Sequence, residues 1–259
     1  MVIFRFLNVT ALHNSLQEKV ATHNGSDYQS AQNSYFSAQA KSLFPACIAT
    51  PNTSSEVATI VQILVEGRVR FAIRGGGHSL NAGAADIERG VTDNLRALNK
   101  VEVNKEQTLV SIGGGAKWCE VYSVLDGLGL ATSGGRVTDF GVGRLTTGVC
   151  DNVENYEVVL ADGSLVNANR FENCNLSQAL KGGSNNFGIV TRFDIRTFPQ
   201  ENFLGGCIVH DLSTLDSQLK GFANLLENFD PYAAPGSCNQ FATTTFGGSL
   251  EFLRTFHSI

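Results

Sequence analysis

Apolar positions along this chain follow two periods, one helical and one alternating. In "TSSEVATIVQILVEG", Val57, Ile60, Val61, Leu64 and Val65 fall on one face of a 3.6-residue repeat, which predicts a helix. Thr53, with Glu56 three residues on, supplies a capping box at its start. "RFAIR" predicts a short buried strand that runs straight into Gly75–Gly77. "KVEVN" and "TLVSIGGG" are strand-like, and the second ends on another triplet, Gly113–Gly115. "AKWCEVYSVLDGLG" predicts a helix closed by Gly127 or Gly129. "NYEVVLADGSLVNA" predicts a hairpin turning at Asp162-Gly163. "LSQALKGGSNNFGIVTRFDIRTF" reads as a short helix, a Gly/Asn loop and a long strand. Past Pro199 a new unit begins: a strand in "GGCIVHD", then an amphipathic helix carrying Leu212, Leu215, Leu219, Phe222, Leu226 and Phe229. Another strand pattern starts after Pro231. Residues 1–42 are polar and poorly periodic, and read as a tail or short helices.

Composition narrows the function classes. The chain has 259 residues, 42% hydrophobic and 17% charged, which is enough apolar material for a sizeable core. A net charge of −5 without a basic run argues against nucleic acid as a partner. No apolar stretch reaches membrane-spanning length, so no membrane partner is expected. The opening "MVIFRFLNVTALHNSLQEKV" is interrupted at Arg5 and Asn8 and lacks the pattern of a secretory signal, which leaves the compartment open. Cys47, Cys119, Cys150, Cys174, Cys207 and Cys238 show no metal-ligand spacing. They read as buried or free thiols, with one or two disulfides open in an exported protein. No metal site is expected.

Candidate chemistry gathers at the glycines. "AIRGGGHSL" places Gly75, Gly76 and Gly77 between Arg74 and His78–Ser79. A bare turn after a strand either is a plain turn or cradles phosphate oxygens on backbone N–H groups. Arg74 and Ser79 stand at the edge of such a cradle. The dinucleotide fingerprint G-x-G-x-x-G opening a helix is missing, as is G-x-x-x-x-G-K-S/T. His78 beside the cradle reads as a general base, a hydrogen-bond donor or a covalent anchor. Residues 131–148 carry Gly134, Gly135, Gly141, Gly143 and Gly148 with little periodicity, too long for a plain loop.

Taken in order, "AIRGGGHS", "SIGGGAKW", "SGGRVTDFGVG", "DNVENYEVVLADGSLVNA" and "ALKGGSNNFGIVTRFDIRTFP" resemble the FAD-linked oxidases of the vanillyl-alcohol oxidase / p-cresol methylhydroxylase family, nearest its berberine-bridge-enzyme-like branch. The resemblance covers residues 36–205. It implies an α+β chain: a two-subdomain p-cresol-methylhydroxylase-type FAD-binding fold, then the start of an incomplete α/β substrate domain. The implied divisions are an N-terminal tail or helices (1–42), the FAD-binding domain (43–200) and the substrate domain's start (201–259). It implies that Arg74, Gly75, Gly76, Gly77, His78 and Ser79 wrap the pyrophosphate, with His78 bonded to the flavin 8α-carbon. Gly134, Gly135, Gly141 and Gly143 match a second flavin-lining loop, and Gly188, Ile189 and Val190 a segment beside the adenine end.

The implied activity is removal of hydride from an alcohol, sugar-like or benzylic substrate, with electrons passed to oxygen or another acceptor. Members of the family are often secreted. Departures from the pattern also carry expectations. Val137 stands where some members have a second flavin-bonding cysteine, so at most one covalent link is expected. Arg144 replaces a glycine, a segment before Cys150 is missing, and Gln178 replaces an aromatic. "DNL" at Asp93–Leu95 puts a charge at a buried strand position. Members run on well beyond residue 259, and the catalytic base belongs to that part, so no catalytic residue is assigned. The alternative is a truncated, inactive relative that binds FAD weakly or not at all; a phosphate-ligand binder without flavin is a third.

Overall fold

The computed structural model describes residues 2–135, 137–147, 151–184, 186–200, 204–228, 240–246 and 249–256. The chain divides into two units, Met1–Pro199 and Gln200–Ile259. The first unit opens with helix α1 (Val2–Leu16), the short strand β1 (Val20–Ala21), and helices α2 (Ser26–Asn33) and α3 (Ala38–Lys41). Strand β2 (Cys47–Ala49), helix α4 (Ser54–Glu66), strand β3 (Phe71–Arg74) and strand β4 (Val91–Asn94) follow. They form a four-stranded sheet ordered β1-β2-β4-β3, in which β4 runs parallel to both neighbours and β1 is antiparallel to β2.

Helix α4 has the predicted cap: the Glu56 amide donates to Thr53 Oγ1 at 3.2 Å. Glu56 returns its carboxylate to the Asn52 amide at 2.9 Å and also meets Lys19 Nζ. Val57, Ile60, Val61 and Leu64 are buried as the pattern predicts, whereas Val65, near the end of the helix, is exposed.

Of the two expected readings, residues 9–42 take that of short helices, and they are built into this sheet layer. Leu12, Leu16 and Val20 share a core with Cys47, Ala49, Ile60, Leu64 and Val91. The polar residues that hide this packing in the sequence work on backbone carbonyls. Tyr28 Oη donates to Pro45 O at 2.8 Å, and Gln32 Nε2 donates to Lys41 O at 3.0 Å and Leu43 O at 2.6 Å. These hydrogen bonds offset the cost of burying Tyr28 Oη and Gln32 Nε2, while Gln32 Oε1 has no partner among the described residues.

The second layer is antiparallel. Strands β5 (Val101–Val103) and β6 (Leu109–Gly113) lead to helix α5 (Trp118–Asp126) and strand β7 (Leu130–Thr132). Gly127 caps α5, while Gly129 takes the left-handed conformation, φ +66°. Helix α6 (Val142–Thr146), the predicted hairpin β8 (Val153–Val159) and β9 (Leu165–Asn169), helix α7 (Cys174–Leu180) and strand β10 (Ile189–Pro199) complete the unit. The sheet order is β5-β6-β10-β8-β9, and β7 pairs with the end of β10. At the hairpin turn the Ser164 amide donates to Asp162 Oδ1 at 2.8 Å, so Asp162 has a turn role.

Trp118, Val121 and Leu125 of α5 pack on Ile112, Tyr156, Phe193 and Ile195. The two layers meet at α4. Val57 and Val61 share a cluster with Leu95, Leu98, Val159 and Ile189. At that seam Glu157 accepts from Ser54 Oγ, from Thr191 Oγ1 at 2.8 Å and from Arg192 Nη1 at 2.8 Å.

The second unit holds strand β11 (Leu204–His210), helix α8 (Leu215–Glu227), and strands β12 (Gln240–Phe246) and β13 (Ser249–Phe256), with sheet order β11-β13-β12, all antiparallel. Among the described residues no helix is long and apolar enough to cross a membrane. No group of three metal-ligating side chains is present among them.

Asp93 lies in β4 two positions from Val91 and from Leu95, which both share clusters with α4 residues. It is wholly buried, and neither carboxylate oxygen has a hydrogen-bond partner among the described residues. Burial pushes its pKa up to about 8. The folded protein therefore keeps a proton that the unfolded chain releases above the ordinary carboxylate range, around 4. Stability from this group is greatest below that range and falls as pH rises through the interval from about 4 to about 8. Asp93→Val is expected to remove the slope. The gap in unfolding free energy between variant and parent should widen with pH by up to ~1.4 kcal/mol per unit. Urea midpoints at pH 5 and pH 8 check this; parallel pH profiles would refute it.

Candidate functional site

Strand β3 ends at Arg74, and the chain leaves it through Gly75–Gly77 into a loop that lasts to β4. This places the triplet at the carboxyl end of two parallel strands, where open α/β layers bind ligands. Gly77 has φ +73°, a conformation that favours glycine. Gly76 lies so close to Gly141 that a methyl on it would stand 2.4 Å from the Gly141 nitrogen. A methyl on Gly141 would in turn stand 2.6 Å from the Gly76 nitrogen. The two loops expected to line one ligand are thus in direct backbone contact, although 65 positions separate these glycines in the sequence (141 minus 76).

The second triplet joins them. The Gly114 amide donates to Thr191 O at 2.8 Å, and a methyl on Gly114 would meet Val190 O at 2.3 Å. The Gly114 carbonyl also faces Gly75 and Gly143, 3.7 Å and 4.0 Å from where their methyls would be. Gly75, Gly76, Gly141, Gly143 and Val190 are therefore gathered around Gly114. The sequence marked 113–115 as a repeated device without placing it in the site; its contacts lie with residues remote in the chain.

The glycine-rich loop before α6 is zipped onto the start of α5. The Trp118 amide donates to Phe140 O at 3.0 Å, the Cys119 amide to Thr138 O at 2.8 Å, and the Val142 amide to Ala116 O at 3.0 Å. Gly134 and Gly135 lie flat on the Trp118 ring, where a methyl would come within 2.4 Å and 2.6 Å of ring carbons. Tyr122 Oη donates to Gly135 O at 2.5 Å.

His78 stands at the mouth of this seam. Its ring is stacked on Phe36, centroids 4.9 Å apart, and tilted against Phe140 at 4.4 Å. Its Nε2 is 3.1 Å from Asp139 Oδ2. The other oxygen of Asp139 pairs with Lys117 Nζ. The hydrogen bond from Lys117, joined by that from His78, holds the Asp139 carboxyl below the usual carboxylate range. His78 Nδ1 is buried and has no partner among the described residues. Phe36, Lys117, Asp139 and Phe140 were absent from the sequence-derived set, since single residues of these types carry no spacing that points to His78.

Two expected site residues have other tasks. Arg74 does not line the cradle: it is buried, with Nη1 donating to Ala31 O at 2.7 Å and Nη2 to Ser34 Oγ at 2.7 Å. Its guanidinium lies 3.9 Å from the Tyr35 ring centroid, and burial lowers its pKa. It props the loop from behind: a methyl on Gly77 would come within 2.9 Å of its Nη2. Ser79 Oγ accepts from the Asn81 amide at 3.3 Å and shapes the loop.

Gly188 adopts φ +137°, and Ile189 and Val190 pair with Val159 and Val158 at the start of β10. Val137 is exposed, as is Gln178. Cys47, Cys119 and Cys174 are free thiols, and burial pushes Cys47 up to about 12. Cys150 and Cys238, and the side chains of Cys207 and Arg144, lie outside the described residues.

Residues 45–169 match the family model described as "FAD binding domain". An FAD-dependent monooxygenase of Cochliobolus heterostrophus is 36% identical over 250 residues, covering 87% of this chain and 48% of that protein. An FAD-dependent monooxygenase of Cercospora nicotianae is 38% identical over 220 residues, covering 77% and 48%. The chain spans about half the length of these curated relatives. Among solved structures, glucooligosaccharide oxidase of Acremonium strictum superposes with a TM-score of 0.82 at 22% identity, over 96% of this chain and 54% of that one. A further structure of that oxidase is described as carrying a 6-S-cysteinyl, 8α-N1-histidyl FAD. The 6-hydroxy-D-nicotine oxidase of Arthrobacter nicotinovorans superposes with a TM-score of 0.78 at 22% identity, over 94% and 56%.

Proposed function

This chain belongs, through residues 45–169, to the FAD binding domain family with the p-cresol-methylhydroxylase-type fold, and from that premise we propose that it is the FAD-holding part of an oxidoreductase. In this reading the enzyme takes hydride from a small alcohol, sugar-like or benzylic compound and passes the electrons to oxygen. Relatives named as monooxygenases support oxygen as the acceptor.

The observation that carries the reading is the meeting of Gly75–Gly77, Gly114 and Gly141–Gly143 beside a buried His78 Nδ1 that has no partner among the described residues. Three chain segments stripped of side chains suit a cofactor whose phosphates must approach backbone. An unpaired buried nitrogen is costly unless something occupies it. Both features fit FAD joined through one histidine.

FAD supplies a two-electron acceptor when bound. Gly75–Gly77 hold its pyrophosphate, Ser79 shapes the loop that follows, and Arg74 stiffens the triplet from its far side. Gly134, Gly135, Gly141 and Gly143 line the ring, with Trp118 fixing the level of the first two. Gly188–Val190 border the adenine end. Phe36 and Phe140 hold the His78 plane, and Val137 offers no thiol for a second bond.

Absorption spectra of the purified protein, native and after acid denaturation, test the reading. Yellow colour is expected to stay with the polypeptide in acid. Colourless native protein with no flavin by mass spectrometry would overturn it.

A further inference from the structure

Resting on the FAD reading above, we infer that Asp139, held by Lys117, is the positioning residue that sets the His78 tautomer and receives its proton when the imidazole is joined to the flavin. As a surface ion pair, Lys117–Asp139 would contribute little, because exposed pairs are largely screened. Its geometry gives it another use. The two carboxylate oxygens are divided, Oδ1 to Lys117 Nζ and Oδ2 to His78 Nε2 at 3.1 Å.

The carboxylate is ionised near neutrality, because Lys117 and His78 hold its pKa below the ordinary value. An ionised carboxylate only accepts, so Nε2 must be the nitrogen that carries hydrogen. In a neutral imidazole the lone pair is then on Nδ1, the buried atom without a partner among the described residues. The alternative tautomer would set an imidazole lone pair against a carboxylate oxygen.

Rotation of the ring is blocked as well. Phe36 stacks on it at an interplanar angle of 22°, and Phe140 closes against it at 46°. Asp139 is itself fixed from both sides: the carbonyls of Thr138 and Phe140 accept from the first amides of α5. Lys117 precedes that same helix, so one element places the carboxylate and its counter-charge.

The step balances as follows. A bond forms between His78 Nδ1 and the flavin 8α-carbon; one C–H bond of that methyl and the Nε2–H bond break. Two electrons pass through the isoalloxazine to dioxygen, which leaves with two protons as hydrogen peroxide. The two protons are the one lost from that methyl and the one from Nε2, which Asp139 receives as the imidazole gains its carbon substituent and then passes on to solvent.

The test uses the full chain, produced flavin-free from a riboflavin-starved host and then given FAD. Total bound flavin is read from the native spectrum after desalting, and covalent flavin from fluorescence of the acid-precipitated band against time. Asp139→Asn is expected to keep total flavin within about twofold while covalent incorporation slows at least about tenfold, the low side of what a positioned proton acceptor contributes. Raising the pH is expected to restore part of that rate, because solvent base then takes the proton. Asp139→Glu is expected to recover it at neutral pH.

Covalent incorporation at the parent rate in Asp139→Asn would overturn the inference. Loss of all flavin from that variant would overturn it too, since Asp139 would then hold the cofactor rather than the imidazole. FAD that binds the parent but never becomes acid-stable would overturn the linkage alone. Parent protein that binds no FAD would instead overturn the functional reading beneath it.

Discussion

His78→Ala is expected to abolish acid-stable flavin altogether while leaving part of the reversibly bound FAD in place. The two effects separate because different atoms carry them. The covalent bond needs Nδ1, the buried nitrogen that has no partner among the described residues. Reversible binding needs the seam of Gly75–Gly77, Gly114 and Gly141–Gly143, which an alanine at 78 does not enter. Truncation also removes a ring packed between Phe36 and Phe140 and leaves Asp139 paired with Lys117 only. Reversible affinity should therefore fall, but less steeply than covalent incorporation. Flavin fluorescence of the acid-precipitated band, compared with total flavin in the native sample, measures both. Acid-stable flavin persisting in His78→Ala would place the link at another residue and reject the assignment.

Gly115→Ala is expected to destabilise the first unit by more than ~3 kcal/mol, above the usual range for overpacking. A methyl there would stand 1.7 Å from Leu95 O and 2.4 Å from the Leu95 carbonyl carbon. The obstacle is backbone, which cannot rotate away as a side chain would. It is also tied down, since Leu95 O accepts from the Leu98 amide at 2.7 Å and Leu98 O accepts from the Gly115 amide at 3.0 Å. Relief would require the segment after β4 to retreat from the end of β6, opening the junction between the two sheets. The loss should appear as a lower urea midpoint, and in FAD binding too, because Gly114 joins the cradle next door. A midpoint unchanged from the parent would show that this crossing is looser than the contact distances imply. By contrast, Gly127→Ala meets Val124 O at 3.7 Å and Ser123 O at 3.9 Å, ordinary contacts, and should leave the midpoint nearly unmoved.

Much of this was legible in the residues themselves. The α4 face, its Thr53 cap, the Asp162-Gly163 hairpin and the burial of Asp93 depend on neighbours within a few positions. Local periodicity and turn chemistry report such features directly. Residues 1–42 were harder, since Tyr28 and Gln32 are buried by pairing with carbonyls of residues 41–45, which no hydropathy pattern records.

By itself the sequence determined which backbone stretches are bare and that one histidine adjoins them. Only the tertiary structure decided which bare stretches touch. Gly76 meets Gly141, and Gly114 meets Val190, because β3 and β6 end, and β10 begins, at one place. It also decided the roles of charges. Arg74, next to the glycines in sequence, turns inward to Ala31, Ser34 and Tyr35. Asp139, 61 positions away from His78, supplies the carboxylate beside the imidazole. The reason is physical: spacing along a strand or helix fixes which face a residue occupies, whereas the partner on that face is chosen by how separate elements pack.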